Sequence, residues 1–337
     1  MTSASQEKRR NWCLGVAGWA ALSLAHPAAL AQALTPLPDF PRQSVTLVSP
    51  FPPGGGNDGI ARLLGNELSK LIGQAVVIEN RAGAGGNLGT TAVARAKPDG
   101  YTLVLSQNSV MAVNPSLYKN PGFDPLKDFV ALSQITSAPL VLVVRAESPH
   151  KSLADYLKAA AERPGKVSFA TPGNGTLSHL AGATLAQKKG VTLMHVPYRG
   201  AGPATNDLLG GSVDMLITSP PSVESLYSSG KVRALAVTHS NAVGAFKNVP
   251  SLEQQGVSHV SIEGWYGVFA PAGTPKERVQ YLSEAIRKAA TAPAVVARIN
   301  QDGADVVAST PEALDKKLRA EIPHWAALVK SLDLSID

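Results

Sequence analysis

From Val45 onward the chain alternates short, continuous apolar runs with stretches whose apolar residues recur at helical spacing. The runs at 45–49, 74–79 and 101–106 read as strands. Between the first two, Ile60, Leu63, Leu64, Leu68, Leu71 and Ile72 mark one face of a helix, and 88–96 reads as a shorter helix. A second set begins near Pro139, with strands at 140–144, 167–170, 191–196, 213–217 and 232–238 separated by helical stretches. Ser152 with Asp155 opens the first of those helices as a capping box, and Pro164-Gly165 closes it. The tail adds a strand at 266–270 and two helices, opened by Thr274-Pro275-Lys276-Glu277 and Thr310-Pro311-Glu312, each a cap with proline at the first helical position. Apolar strands joined by helices predict α/β units with parallel-rich sheets flanked by helices.

Two glycine-rich turns interrupt this pattern at strand-to-helix junctions. One is Pro50-Phe51-Pro52-Pro53-Gly54-Gly55-Gly56-Asn57-Asp58, and the other is Glu79-Asn80-Arg81-Ala82-Gly83-Ala84-Gly85-Gly86-Asn87. Glycine lets the backbone approach a ligand closely. The N–H groups and dipole of a helix start favour negative charge there. Turns after successive parallel strands share one sheet edge, where open α/β folds bind ligands, so the pair predicts a site for a small anion, most simply a carboxylate. Polar groups at other strand ends converge on the same kind of edge: Ser106, Asn108, Thr171, Thr176, Tyr198 and Ser219. They suit a binding cleft between two units and do not form a proton-transfer apparatus. Gly86 and Thr176 are expected on opposite walls, with Gly86 at an open, cleft-facing position.

Composition narrows the class. The 337 residues are 44% hydrophobic and 17% charged, enough for a sizeable core in one large or two medium domains. Aromatic residues make up 5%, which argues against a stacking surface for single-stranded nucleic acid. The first 31 residues read as a signal peptide: Lys8, Arg9 and Arg10, an apolar stretch from Trp12 to Leu24, and small-x-small sites that place cleavage near 31 or 33. That pattern predicts export. Cys13, the one cysteine, lies inside it, so the processed chain is expected to hold no disulfide and no thiolate chemistry. The formal net charge is +6, with bases and acids interspersed, a modest field that would draw in an anion.

Gly54-Gly55-Gly56-Asn57-Asp58-Gly59 matches the dinucleotide fingerprint G-x-G-x-x-G, with Glu79 at the end of the next strand. This supports an alternative, an exported α/β oxidoreductase. Against it, prolines and Phe51 separate the strand from Gly54, and the second strand carries a glycine turn that such a fold does not need. Asp58 reads as a helix cap or, failing that, a cation ligand. His179, at a helix start, is expected either to hydrogen-bond within the wall or to touch the ligand. No histidine pair has metal-ligand spacing and there is no G-x-S-x-G elbow, so no metal, cofactor or catalytic residue is expected.

Seven segments occur in one order: 48–58, 79–86, Lys97-Pro98-Asp99-Gly100-Tyr101-Thr102-Leu103, Asn114-Pro115-Ser116-Leu117-Tyr118, His195-Val196-Pro197-Tyr198-Arg199-Gly200, 207–214 and 268–275. With them the chain resembles the Bug (TctC-like) extracytoplasmic solute receptors of tripartite tricarboxylate transporters. The resemblance covers the chain beyond the leader. It implies a two-domain, periplasmic binding protein type II-like fold, with 34–138 and 240–337 as one domain, 139–239 as the other, and the ligand cleft between them. It implies a periplasmic location, a small organic acid as ligand (a mono-, di- or tricarboxylate, an amino acid or an aromatic acid), and transporter membrane subunits as partners. By position, Phe51, Gly54, Gly55, Gly56, Asn57, Asp58, Gly83, Ala84, Gly85, Gly86 and Asn87 form one wall, with Ser106 and Asn108 nearby. Thr171, Gly173, Asn174, Gly175, Thr176, His179, Tyr198, Asp207 and Ser219 form the other. The chain departs from the common pattern at Asn57, where threonine or serine is frequent, and at Gln107-Asn108-Ser109, where a Gly/Ser/Thr-rich run is usual.

Overall fold

The structure, a computed structural model, describes Leu34 and residues 37–198, 200–240, 244–257, 262–332 and 334–335. The expected signal peptide, its cleavage site, Cys13 and Arg199 lie outside the described residues. The chain divides into Met1–Thr35 and a second unit, Pro36–Asp337, which carries the fold. In chain order its strands are β1 (Val45–Ser49), β2 (Val76–Asn80), β3 (Thr102–Gln107), β4 (Phe129–Pro139), β5 (Val141–Arg145), β6 (Ser168–Thr171), β7 (Met194–Pro197), β8 (Met215–Thr218), β9 (Val232–Val237), β10 (Glu263–Pro271) and β11 (Asp305–Val306). Its helices are α1 (Gly56–Ile72), α2 (Asn87–Ala94), α3 (Asn114–Leu117), α4 (Leu153–Glu162), α5 (Leu177–Lys189), α6 (Ala201–Gly210), α7 (Glu224–Ser228), α8 (Lys276–Ala290), α9 (Pro293–Gln301) and α10 (Pro311–Ser331).

Two sheets result. One has the order β11-β4-β10-β3-β1-β2, the other β7-β6-β8-β5-β9. The sheets are mixed rather than parallel-rich. In the first, β1 runs parallel to β2 and β3, while β10 is antiparallel to β3 and β4. In the second, β6 runs parallel to β7 and β8, while β5 is antiparallel to β8 and β9. The reason lies in the crossings. Parallel neighbours need a helical crossover. The chain instead passes from β4 to β5 through Leu140 alone, and it returns to the first sheet along β10. Strands that enter a sheet this way meet their neighbours antiparallel. The two crossing segments are tied together at Thr238: its N–H donates to Leu140 O (2.9 Å), its Oγ1 accepts from Leu140 N (2.8 Å), and it also donates to Ile262 O.

Local chemistry accounts for the elements that carry the site. Val45, Leu47 and Val48 bury β1 in the middle of the parallel half. Ile60, Leu64, Leu68 and Ile72, at four-residue spacing, are the buried face of α1, which ends at Gly73 with φ 67°. Ser152 and Asp155 form the expected capping box on α4. Thr310 caps α10 by accepting from Ala313 N (3.3 Å). Thr274 does not cap α8: its hydroxyl donates to Pro271 O (2.7 Å), and Pro275 stands at the cap position instead. The 11-residue strand β4 has no counterpart in the sequence reading. Ser133, Gln134, Thr136 and Ser137 are all buried in it, and these polar residues hide its apolar signal. One apolar core continues from Val48 and Val104 in the first sheet, through Leu140, to Leu142 and Phe169 in the second.

Candidate functional site

A cavity of about 550 Å³ opens between the C-terminal edge of β1 and β3, the start of β10, and the loops after β6 and β8. On the first-sheet side it is lined by Phe51, Gly56, Ile60, Gly85, Asn114 and Tyr118, and β10 adds Gly264, Trp265 and Tyr266. The second sheet supplies Pro172, Asn174 to Ser178, Ala201 and Thr218 to Ser222. Ile299, Asp302 and Ala304, at and beyond the end of α9, add to the lining. Three helices therefore start at the cavity: α1 at Gly56, α5 at Leu177 and α6 at Ala201. Neither α1 nor α6 has a side-chain cap on its first turn. The first N–H groups of a helix have no intrahelical acceptor, and with the dipole they favour an anion. No lysine or arginine is among the described lining residues, and Asp302 is the one ionised side chain, paired with Arg298 Nε at 3.1 Å.

Of the residues singled out in the sequence, the structure brings Phe51, Gly56, Gly85, Asn108, Asn174, Gly175, Thr176 and Ser219 to the cavity. Gly54, Gly55, Asn57, Asp58, Gly83, Ala84, Gly86, Asn87, Ser106, Thr171, Gly173, His179, Tyr198 and Asp207 do not line it. Several of these build the walls from behind. Asn57 is buried, accepts from Ser49 Oγ (2.7 Å) and donates to Leu105 O (3.0 Å), which joins α1 to β1 and β3. Asp58 accepts from Gly54 N (2.9 Å), Asn80 Nδ2 (3.0 Å) and Arg62 Nε (3.0 Å). It closes the first turn without capping α1, contrary to the capping reading, and among the described residues its cationic partner is Arg62. That guanidinium and then the Gly54 N–H hold its carboxyl at about 2.

Gly86 is not at an open position. It is buried with φ 96°, and a Cβ there would stand 2.8 Å from Val110 Cγ2 and 3.1 Å from Phe51 Cζ. A bulky residue at 86 would therefore strain the fold as well as the site. Asn87 accepts from Asn114 Nδ2 (2.7 Å), and Ser106 is buried within β3. On the other side, Tyr198 donates to Asp207 Oδ2 (2.6 Å), and burial, then that carboxylate, pushes its hydroxyl up to about 12.

His179 hydrogen-bonds within the wall. Its Nδ1 accepts from Gly175 N (3.2 Å) and its ring stacks on His195, with centroids 3.9 Å apart. His195 stacks in turn on Phe169 and bonds Thr171 Oγ1 at 2.7 Å. Thr176 caps α5 by accepting from His179 N (3.3 Å), and it donates to Gly173 O (2.8 Å). Its hydroxyl is spent on the wall rather than left for a ligand. Burial lowers the pKa of His179, and burial with the neighbouring ring brings His195 down to about 4. The groups that face the stack are Phe169, Thr171 and the Gly175 N–H, none of them charged. A depressed histidine pKa favours the unfolded state as pH falls from the ordinary 6.5 towards 4. Stability should thus be full above about pH 6.5 and fall by about 1–2 kcal/mol across that window, a value discounted for the half-open ring. Urea titrations at pH 7.5 and 4.5 should show that loss in the native chain and a smaller one in His195→Asn. An equal loss in both would place the pH sensitivity elsewhere.

Tyr266, Trp265, Thr218, Tyr118 and Asn114 line the cavity and are not among the expected site residues. Tyr266 is the most telling. A Cβ on Gly56 would stand 3.0 Å from its hydroxyl, which burial pushes up to about 12. The signal available was an aromatic pair between glycines, Gly264-Trp265-Tyr266-Gly267, read only as a strand. Thr218 is fully buried, and its Oγ1 has no hydrogen-bond partner among the described residues.

Two α/β sheets with helix starts facing a common cavity define a two-domain binding protein of the periplasmic receptor class. The family model for the tripartite tricarboxylate transporter family receptor matches residues 60–334, and the chain belongs to that family. It is one of receptors, which sets the oxidoreductase alternative aside. Three solved structures similar to it bear on the site. The periplasmic binding protein BugD is 36% identical, with a TM-score of 0.76 over 88% of this chain and 99% of that one. R. palustris Rpa4515 with adipate is 32% identical, with a TM-score of 0.79 over 88% and 99%. MatC (Rpa3494) from Rhodopseudomonas palustris with bound malate is 32% identical, with a TM-score of 0.75 over 86% and 100%.

Proposed function

We propose that this chain is a periplasmic receptor that captures a small carboxylate in the cavity between its two sheets and delivers it to the membrane subunits of a tripartite tricarboxylate transporter. The observation that carries the reading is the convergence of α1, α5 and α6 on a cavity whose described lining residues include no lysine or arginine. An anion there is held by backbone N–H groups from both sides. Charge-assisted bonds of this kind contribute about 1.5–3 kcal/mol each. The adipate and malate of the similar structures support a carboxylate ligand. The leader pattern and the periplasmic relative BugD support export. In this reading 34–138 with 240–337 form one domain and 139–239 the other. They close on the ligand about the segments tied at Thr238, as hinged receptors do.

The test is calorimetry with a panel of organic acids and their methyl esters. At least one acid should bind, and its ester at least about tenfold more weakly, since one lost charge-assisted bond costs that much. Gly56→Val should lower the affinity further, because its side chain would press on Tyr266 and cover the start of α1. Equal affinity for acid and ester would remove the proposal's basis.

A further inference from the structure

Thr218 ends β8, is fully buried, and encloses a hydroxyl that has no hydrogen-bond partner among the described residues. An oxygen removed from water and left unpaired destabilises a fold, and valine, of nearly the same shape, would avoid the penalty. Enclosed, unpartnered side-chain nitrogens or oxygens are described at five further residues, Asn87, Thr90, Ser106, His150 and Arg233. None of those five lines the cavity, and Thr218 does.

Its surroundings suit an anion. β8 runs parallel to β6, with Leu216 beside Ala170, so Thr218 and Pro172 stand at one edge of the second sheet. Pro172 leads into the loop that opens α5. Thr176 takes up the His179 N–H as the cap of that helix. The N–H groups of Leu177 and Ser178 have no acceptor among the described residues, and both residues line the cavity with Thr218. Nearby hydroxyls are bonded within the wall: Thr176 donates to Gly173 O (2.8 Å), and Ser219 and Ser222 bond each other (3.1 Å). An ionised carboxylate only accepts hydrogen bonds, so it suits two N–H groups and a hydroxyl that is free to donate.

On the carboxylate reading above, we propose that the Thr218 hydroxyl is kept for the ligand and fixes its affinity. Turned about χ1, it donates to a carboxylate oxygen held at the start of α5. That bond is charge-assisted and therefore strong, and it offsets on binding the penalty that the unpaired hydroxyl imposes on the fold.

Calorimetry with malate, adipate, benzoate and 3-phenylpropionate, each beside its fully methylated ester, first finds the acid that binds most tightly. Thr218→Val should weaken that acid at least about tenfold. Thr218→Ser, which keeps a hydroxyl, should stay within about threefold of the native chain. The ester should lose less than the acid in Thr218→Val, since the bond removed is one to a charge. Without ligand, the urea midpoint of Thr218→Val should equal or exceed the native one, because an unpaired hydroxyl has given way to a methyl group. Native affinity retained in Thr218→Val would overturn the proposal and leave the carboxylate receptor standing. So would an affinity lost together with the urea midpoint, which would make the hydroxyl a structural group, or an equal loss for acid and ester, which would set it against another part of the ligand. If no acid binds the native chain, or the esters bind as tightly as the acids, the receptor reading falls with it.

Discussion

Gly182→Ala should cost the fold about 2 kcal/mol or more, and Gly182→Val more still, although neither residue touches the cavity. Gly182 lies on α5 where the helix crosses β6. A Cβ there would stand 2.1 Å from Phe169 Cε2, 2.5 Å from Cδ2 and 2.8 Å from Cζ. Phe169 is buried, and its other face is stacked on His195, with centroids 4.8 Å apart. The ring cannot yield without pushing His195, and through it His179 and the Gly175 bond that shapes the wall. Overpacking of this kind typically costs about 1–3 kcal/mol and sometimes more. The urea midpoint should fall accordingly in both variants, and ligand affinity should fall with it. Phe169→Leu added to Gly182→Ala should recover part of the loss, since it removes the atoms that clash. An unchanged midpoint in Gly182→Ala would mean that α5 does not sit this close on β6.

That glycine also marks a limit of the sequence. Inside Leu180-Ala181-Gly182-Ala183-Thr184 it reads as a tolerated weak point in a helix, because nothing local reveals which side chain from another element needs the space. Features set by short-range chemistry were legible. Among them are the run of β1, the spacing of α1, the capping box of α4 and the two glycine turns at one edge, where Ser49 pairs with Asn80. Features set by tertiary context were not. The strand β4 buries polar residues whose partners are far along the chain, as Ser137 with Glu263. Tyr266 reaches the site because β10 enters the first sheet antiparallel between β3 and β4, a pairing that no local pattern encodes. For the same reason Asn57 and Asp58 were assigned to the ligand: their position next to glycine was visible, and their engagement with Leu105 and Asn80 was not.

Asp58→Ala is the second large effect, expected at about 2–4 kcal/mol, and it separates two parts of one cluster. The side chain is almost fully buried, 6% exposed, while its partner Arg62 is 53% exposed. An ion pair with so open a cation contributes little by itself, so Arg62→Ala should cost less than about 1 kcal/mol. The larger part comes from the bonds to Gly54 N and Asn80 Nδ2. Asn80 also donates to Phe51 O (3.1 Å), so the end of β2 holds the first turn at two points, one of them through the carboxylate. Without it, buried donors lose their acceptor, and each such loss costs about 1–3 kcal/mol. Asp58→Asn should be nearly as harmful, because its amide turns a donor toward donors. The pH dependence gives a further check. A carboxyl held at about 2 contributes stability that is present above its ordinary value of 3.8 and is lost as pH falls through 2. The gap in stability between the native chain and Asp58→Ala should therefore be full at pH 5 and shrink below pH 3. This range lies apart from the histidine window, so the two effects resolve in one titration. A gap that persists undiminished at pH 2 would mean that the bonds survive protonation and that the charge of Asp58 is not what holds the turn.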